Sequence, residues 1–334
     1  MALTVASVSP TSDSCAMMLF APNHSAAFAR VVAELLGSPL SPSEEREFDG
    51  GEHKMRPLAD VQGRDVCVIQ STCGDAQASA NDKLCRLLFF VGALKDAGAR
   101  HVTAVVPYLA YARKDRRTQP RDPVTTRYVA AMFEAAGIDT VVVLDIHNEA
   151  AFDNAFRCPT VRLEAAEVFA AALAADLGNN SVVVASPDVG GVKRAQRMRE
   201  ILARQLGRDI DFAFAEKRRA RGVVSGHAFV GQVEGSEVIL YDDMIATGTT
   251  IMRAAQAARR AGAAHVYVAA PHAAFLPAAM QMFGDGGPDA LLVSDSIALA
   301  PAFSSHIGTR LRICSVAPLI ARTIGDLLRA DHGG

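Results

Sequence analysis

No two cysteines in this chain stand two residues apart. Cys15, Cys67, Cys73, Cys85, Cys158 and Cys314 form neither a CxxC pair nor a zinc-ligand spacing, which leaves reduced thiols as the reading. Cys67, Cys85 and Cys314 lie in apolar runs and are expected in the core. An excess of one charge sign is also missing. The formal net charge of −2 argues against bulk nucleic-acid or membrane-surface binding. No apolar run reaches membrane-spanning length, and the first residues show no basic segment followed by an apolar one. A soluble, cytoplasmic protein with neither nucleic acid nor membrane as partner is the expectation. What the chain does have is apolar substance: 50% of its 334 residues. That is ample for two cores in two domains of about 150 residues each.

Short β-rich runs alternate with helical stretches from end to end. The strand candidates are VCVIQST, HVTAVVPY, TVVVLDIH, SVVVASPD, DFAFAE, EVILYDD, HVYVAAPH and ALLVSD. Ala- and Leu-rich segments such as NDKLCRLLFFVGALKDAG and TTRYVAAMFEAAG lie between them, each stopped by Gly. Such alternation predicts an α/β fold with mainly parallel sheets and helices on both faces. Ligands in these folds bind beyond the carboxyl ends of strands. An internal echo also stands out: residues 93–110 and 257–274 align without gaps and share a helix–Gly–strand–Pro order. The counterpart of YDDMIATGTT in the first copy, IQSTCGDAQASAND, lacks both the adjacent carboxylates and the threonine turn.

Four segments carry chemistry. In EVILYDDMIATGTTI a strand ends on Asp242 and Asp243, and Thr247, Gly248, Thr249 and Thr250 form a turn at a helix start. Free N–H groups and the helix dipole suit that turn to a phosphate. The carboxylates would repel a phosphate, so they are read as acceptors for two vicinal sugar hydroxyls. In YLAYARKDRR, Arg113, Lys114, Arg116 and Arg117 surround Asp115 directly after a strand, enough cation for a polyphosphate. In LDIHNE and ASPDVGG, His147 and Asp188 fall at strand ends, where both can reach one Mg²⁺ or its waters. EKRRARG, with Lys217, Arg218, Arg219 and Arg221, reads either as a solvated turn or as a mobile cationic arm over a phosphoryl group in transit.

Taken in order, YARKDRR, SPDVGGVKRA, EKRRAR and DDMIATGTT resemble the ribose-phosphate pyrophosphokinases. The resemblance runs from REFDGGEHKMRP to LIARTIGDLL, nearly the whole chain. It implies two phosphoribosyltransferase-like domains, residues 1–160 with ATP-binding segments and 161–334 with the ribose 5-phosphate loop. It also implies transfer of the β,γ-diphosphoryl group of ATP to O1 of ribose 5-phosphate, with Mg²⁺. Asp242 and Asp243 then match the ribose-binding pair, and Thr247, Gly248, Thr249 and Thr250 the phosphate turn. Lys217 and Arg219 match the catalytic pair of a flexible loop, and His147 and Asp188 the metal-linked positions. Phe48, Glu52, Arg113, Lys114 and Asp115 fall in segments that hold ATP. His272, in APHAAF, matches a motif to which no role is attached. The chain departs from the family pattern at Lys114, commonly Gln, at FDGGE in place of FSDGE, and at Ala246, where many members carry Asp. It departs again in TQPRDPVTTR, which follows the basic run. The resemblance further implies a homo-oligomer built on a dimer, up to a hexamer. A regulatory paralogue without activity and a phosphoribosyltransferase acting on a base are the alternatives.

Overall fold

The computed structural model describes residues 17–220 and 223–331, with side chains described outside 216–228 and 330–331. Cys15 falls outside the described residues. In chain order, β1 (Met18–Phe20) and α1 (Ala26–Leu36) lead into a hairpin of β2 (Ser43–Glu47) and β3 (His53–Pro57). Then follow β4 (Asp65–Ile69), α2 (Ala80–Asp96), β5 (His101–Val106), α3 (Thr125–Ala135), β6 (Thr140–Leu144), α4 (Glu149–Ala155) and β7 (Thr160–Leu163). The chain continues with α5 (Ala166–Leu177), β8 (Val182–Ser186), α6 (Val192–Leu206), β9 (Asp211–Ala220), β10 (Val223–Val230), β11 (Glu237–Tyr241) and β12 (Met244–Ile245). It ends with α7 (Thr249–Arg260), β13 (His265–Ala270), β14 (His272–Ala273), β15 (Ala290–Ser294), α8 (Pro301–Ile307), β16 (Leu311–Cys314) and α9 (Ala317–Asp331).

Two parallel sheets result, in the orders β1-β4-β5-β6-β7 and β8-β11-β13-β15-β16. The second is extended at the β8 edge by β9, parallel, and β10, antiparallel to β9. Strand for strand the five-membered orders correspond, and the echo seen in the sequence is the pair α2–β5 and α7–β13. The likeness reaches single side chains. Lys95 Nζ meets Asp139 Oδ2 at 2.6 Å, and that oxygen also accepts from Val102 N at 2.7 Å. In the second sheet Arg259 Nη2 meets Asp289 Oδ1 at 2.8 Å, and Asp289 Oδ2 accepts from Val266 N at 2.7 Å.

The central strands are mostly apolar because each sheet is covered on both faces. Alternate residues divide between cores. Val66, Val68, Val102 and Ala104 pack with Leu87, Phe90 and Phe133 of α2 and α3. Val238, Leu240, Val266 and Val268 pack with Ala254, Ala255 and Ala258 of α7. The opposite faces of both sheets, through Cys67, Ile69, Val142, Val184, Ile239 and Tyr241, join one continuous core with α1, α5, α6 and α9. Here the helices are exchanged. The last helix, α9, packs on α1, and α5, which follows the first sheet, packs on α6 of the second.

The first sheet runs to Leu163, because β7 pairs with β6. Two expectations are corrected. Cys85 faces solvent on α2, between the buried Leu84 and Leu87. Its apolar neighbours belong to the helix's core face, and Cys85 does not. The segment EKRRARG is less of a turn than its composition indicates: β9 continues through Lys217, Arg218 and Arg219 to Ala220. Lys217 pairs with His227 and Arg219 with Val224 in the strand register. The side chains of Lys217 and Arg219, and all of Arg221 and Gly222, lie outside the described residues, and with them the expectation of a mobile loop. Among the described residues, no helix is long and apolar enough to cross a membrane.

Candidate active site

Strand β11 is buried along its whole length between β8 and β13, and it delivers Asp242 and Asp243 at its carboxyl end. His147, from the segment after β6 of the other sheet, donates from Nδ1 to Asp243 Oδ2 at 2.5 Å. Arg194, near the start of α6, lies 3.4 Å from Asp242 Oδ1 and 3.5 Å from Asp243 Oδ1. Its other nitrogen donates to the His147 carbonyl at 3.2 Å. Burial and then the neighbouring Asp243 charge push the Asp242 carboxyl well above the usual carboxylate range. Burial would raise Asp243 as well, but the His147 hydrogen bond and the Arg194 charge hold it below that range. The pair is therefore electrically unequal: Asp243 carries charge readily and Asp242 resists it.

Six residues on, α7 begins with an open end. Gly248 adopts φ +73° and has no side chain to cap the helix, so the Thr247 hydroxyl is left to accept from Thr249 N at a long 3.4 Å. Thr247 and Thr249 hydroxyls lie 3.1 Å apart at its mouth. First-turn N–H groups of a helix have no partner within the helix, so this end presents donors and the positive dipole to an anion. Glycine is required there twice over. A Cβ would sit 2.2 Å from Met282 Cγ, and the left-handed φ disfavours any other residue. The matching helix of the first sheet is closed instead. Ser79 accepts from Asp82 N at 3.1 Å and Asp82 accepts from Ser79 N at 2.7 Å, a reciprocal cap.

The basic run sits beside His147. Asp115 Oδ2 accepts from Asn148 Nδ2 at 2.6 Å, and Asn148 also caps α4. Arg113 is exposed. Lys114 is turned inward to Asp122 Oδ2 at 2.7 Å, so its charge is answered within the loop. That lysine is also the first cause holding Asp122 low. Asp188 spends Oδ1 on the N–H groups of Gly190 and Gly191, at 2.8 and 3.1 Å. His147 and Asp188, expected as a metal-linked pair, each hold hydrogen bonds here, His147 with Asp243 and Asp188 with the turn it caps. That turn adjoins the acid pair, since a Cβ on Gly191 would lie 3.9 Å from Asp242 Oδ1. Phe48 and Glu52 occupy the tip of the β2–β3 hairpin, where Phe48 N donates to Glu52 O at 2.8 Å. The Phe48 ring is 40% exposed under the Arg46 guanidinium. The hairpin is tied to α2 through Arg86, which meets Glu47 and Glu45.

Two residues of this site lie in stretches the sequence singles out, but without a role attached there. Arg194 is the cation that holds the acid pair, and the available signal is its place in the first turn of the helix opened by SPDVGG. His272, 3% exposed, stands at the junction of the sheets, and burial draws its pKa down to about 4. Asp145, two residues before His147, has φ +43°. Burial pushes its pKa up to about 7, against a hydrogen bond from Ala165 N.

Family models match residues 17–137, as the N-terminal domain of ribose phosphate pyrophosphokinase, and residues 160–276, as a phosphoribosyl transferase domain. The ribose-phosphate pyrophosphokinase of Campylobacter jejuni is 36% identical over 92% of this chain and 94% of its own length. That of Ralstonia nicotianae is 35% identical over 94% and 96% respectively. The crystal structure of phosphoribosylpyrophosphate synthetase from Mycobacterium smegmatis superposes with a TM-score of 0.84 at 31% identity. The match covers 94% of this chain and 99% of that one. Two phosphoribosyltransferase-like domains joined in one α/β chain are the class that this fold defines. The chain belongs to the ribose-phosphate pyrophosphokinase family and, like its members, is an enzyme.

Proposed function

We propose that the protein binds ATP and ribose 5-phosphate and moves the β,γ-diphosphoryl group to O1 of the sugar, giving phosphoribosyl pyrophosphate and AMP. One observation carries this reading. An acid pair and a helix start with glycine at its N-cap share one turn of the second sheet, while the first sheet supplies His147 to Asp243. The open start of α7, with Thr247, Gly248, Thr249 and Thr250, takes the 5-phosphate. Asp242 and Asp243 accept hydrogen bonds from the 2- and 3-hydroxyls, and an ionised Asp243 is the stronger acceptor. The sugar is thereby held with O1 toward the nucleotide.

Arg113 and the loop anchored by Asp115 face the polyphosphate. Lys114, paired with Asp122, shapes that loop and adds little free charge. Lys217 and Arg219 occupy alternate register positions of β9, with Arg218 between them. They neutralise charge on the group in transit. O1 attacks Pβ, the bond from Pβ to the α,β-bridging oxygen breaks, AMP leaves with that electron pair, and the O1 proton passes to water. Positioning and charge neutralisation do the work.

A magnesium ion keeps several waters and takes one or two protein ligands. Among the described residues no group of three His, Cys, Asp or Glu stands ready for a metal. Asp188 and His147, at strand ends beside the acid pair, fit such an ion and would hold it directly or through water. Bound there with ATP, it would supply charge neutralisation on the phosphate oxygens. Phe48 and Glu52, on an exposed hairpin away from the acid pair, are assigned to the adenine of a neighbouring subunit's nucleotide. A homo-oligomer built on dimers follows from that assignment.

The test is incubation of the pure protein with ATP, Mg²⁺ and ribose 5-phosphate. AMP must appear only when the sugar is present. Sugar-independent hydrolysis, ADP as the product, or no turnover would each contradict the proposal.

A further inference from the structure

The Asp243 main chain, His272, the end of β6 and His147 close a ring across the two sheets. The Asp243 carbonyl accepts from His272 N at 3.1 Å. The His272 imidazole reaches the other sheet, where Nε2 lies 3.0 Å from the Leu144 carbonyl. A carbonyl only accepts, so the proton is on Nε2. Leu144 is the last residue of β6, three before His147, and His147 Nδ1 returns to Asp243 Oδ2 at 2.5 Å. The other ring nitrogen, Nδ1, is left as the acceptor for the Ser296 hydroxyl at 3.0 Å. The Ser296 carbonyl accepts from the Ser71 hydroxyl, and Ser71 Oγ in turn accepts from Tyr108 N at 3.1 Å. Tyr108 opens the basic run, and its ring meets the His272 ring edge-on at 5.1 Å. The two residues hold equivalent places, each directly after the Pro that follows β5 or β13.

We infer that His272 is a positioning residue for the reaction. It holds the sugar-binding turn after β11 in register with the end of β6 that carries His147. It does so through its Nε2–H bond to Leu144 and through the pairing of β14 with β12, directly after Asp243. Its Nδ1 side links the same point to Tyr108 and the nucleotide run. No part of His272 needs to touch substrate. Its loss shifts His147 against Asp243, and a displacement of that kind costs on the order of tenfold to a hundredfold in turnover. The inference rests on the reading of Asp243 and His147 as active-site groups.

The experiment compares His272→Gln with His272→Asn in steady-state kinetics with ATP and ribose 5-phosphate. Glutamine places its amide nitrogen near the Nε2 position and can still donate to Leu144 O. Asparagine reaches only the Nδ1 position. The expected result is turnover within about threefold of the parent for His272→Gln and a drop of about tenfold or more for His272→Asn, with ATP affinity unchanged in both. On a His147→Ala background the difference between the two should vanish, because both act through one pair. Equal losses in the two variants, or additive losses with His147→Ala, overturn the inference. Should His272→Asn fail to fold, a folded His272→Gln with a tenfold loss overturns it alone. Absence of activity in the parent protein would instead sink the proposed function, so the two failures are distinguishable.

Discussion

At the residue scale the sugar turn depends on Gly248 as much as on its carboxylates. Alanine there meets a left-handed φ and the Met282 side chain together. Gly248→Ala should therefore cost at least about 1 kcal/mol of stability and raise KM for ribose 5-phosphate, as thermal unfolding and initial rates would show. A substitution that changes neither would mean that the turn relaxes freely. Strand β9 gives a sharper test. Lys217→Ala and Arg219→Ala should lower kcat by about a hundredfold or more with small effects on KM, because they act on a group in transit. Arg218→Ala, at the intervening strand position, should be mild. Similar losses in all three, or losses confined to KM, would make the segment a general electrostatic funnel. Asp242, Asp243 and the threonine turn are legible in the sequence because their chemistry is local, two acids and an open helix start within nine residues. The roles of Arg194 and His272 are not, because each depends on a partner far along the chain: Asp242 for one, Leu144 for the other.

At the element scale the two sheets share a strand order and differ at their helix starts. Helix α2 closes its first turn with Ser79 and Asp82, whereas α7 leaves its own open. Ser79→Ala should destabilise the fold by about 1 kcal/mol and leave KM for ribose 5-phosphate unchanged, readable by denaturant unfolding beside a rate assay. A raised KM would mean that the first turn of α2 also serves the sugar. The apolar central strands are plain in sequence, since a parallel sheet covered on both faces needs unbroken runs such as those of β4, β6 and β8. Edge elements are harder to see. The strands β1, β7 and β16 are short, and β2 reads SEERE with hardly an apolar residue. Pairing by backbone hydrogen bonds makes them strands, and no side-chain period announces it. The exchange of α5 and α9 is invisible for the same reason: an apolar helix face does not name the sheet that will cover it.

At the scale of the whole molecule, the site needs both sheets, and by the proposed assignment of Phe48 and Glu52 it needs a second subunit. That assignment predicts complementation. A Phe48→Ala chain and an Asp242→Asn/Asp243→Asn chain, each weak alone, should regain activity when co-expressed, because mixed dimers contain one site free of both changes. Activity no greater than the sum of the separate proteins would place the hairpin at its own subunit's site. The central claim is narrower: the adjacent carboxylates bind the sugar while other groups bind the nucleotide. Asparagine keeps their size and removes the charge-assisted hydrogen bonds. The most direct measurement is KM for ribose 5-phosphate, set beside the Kd for ATP, in the Asp242→Asn/Asp243→Asn protein. The account predicts a KM raised by about tenfold or more with ATP affinity nearly unchanged. An unaltered KM for ribose 5-phosphate would contradict it.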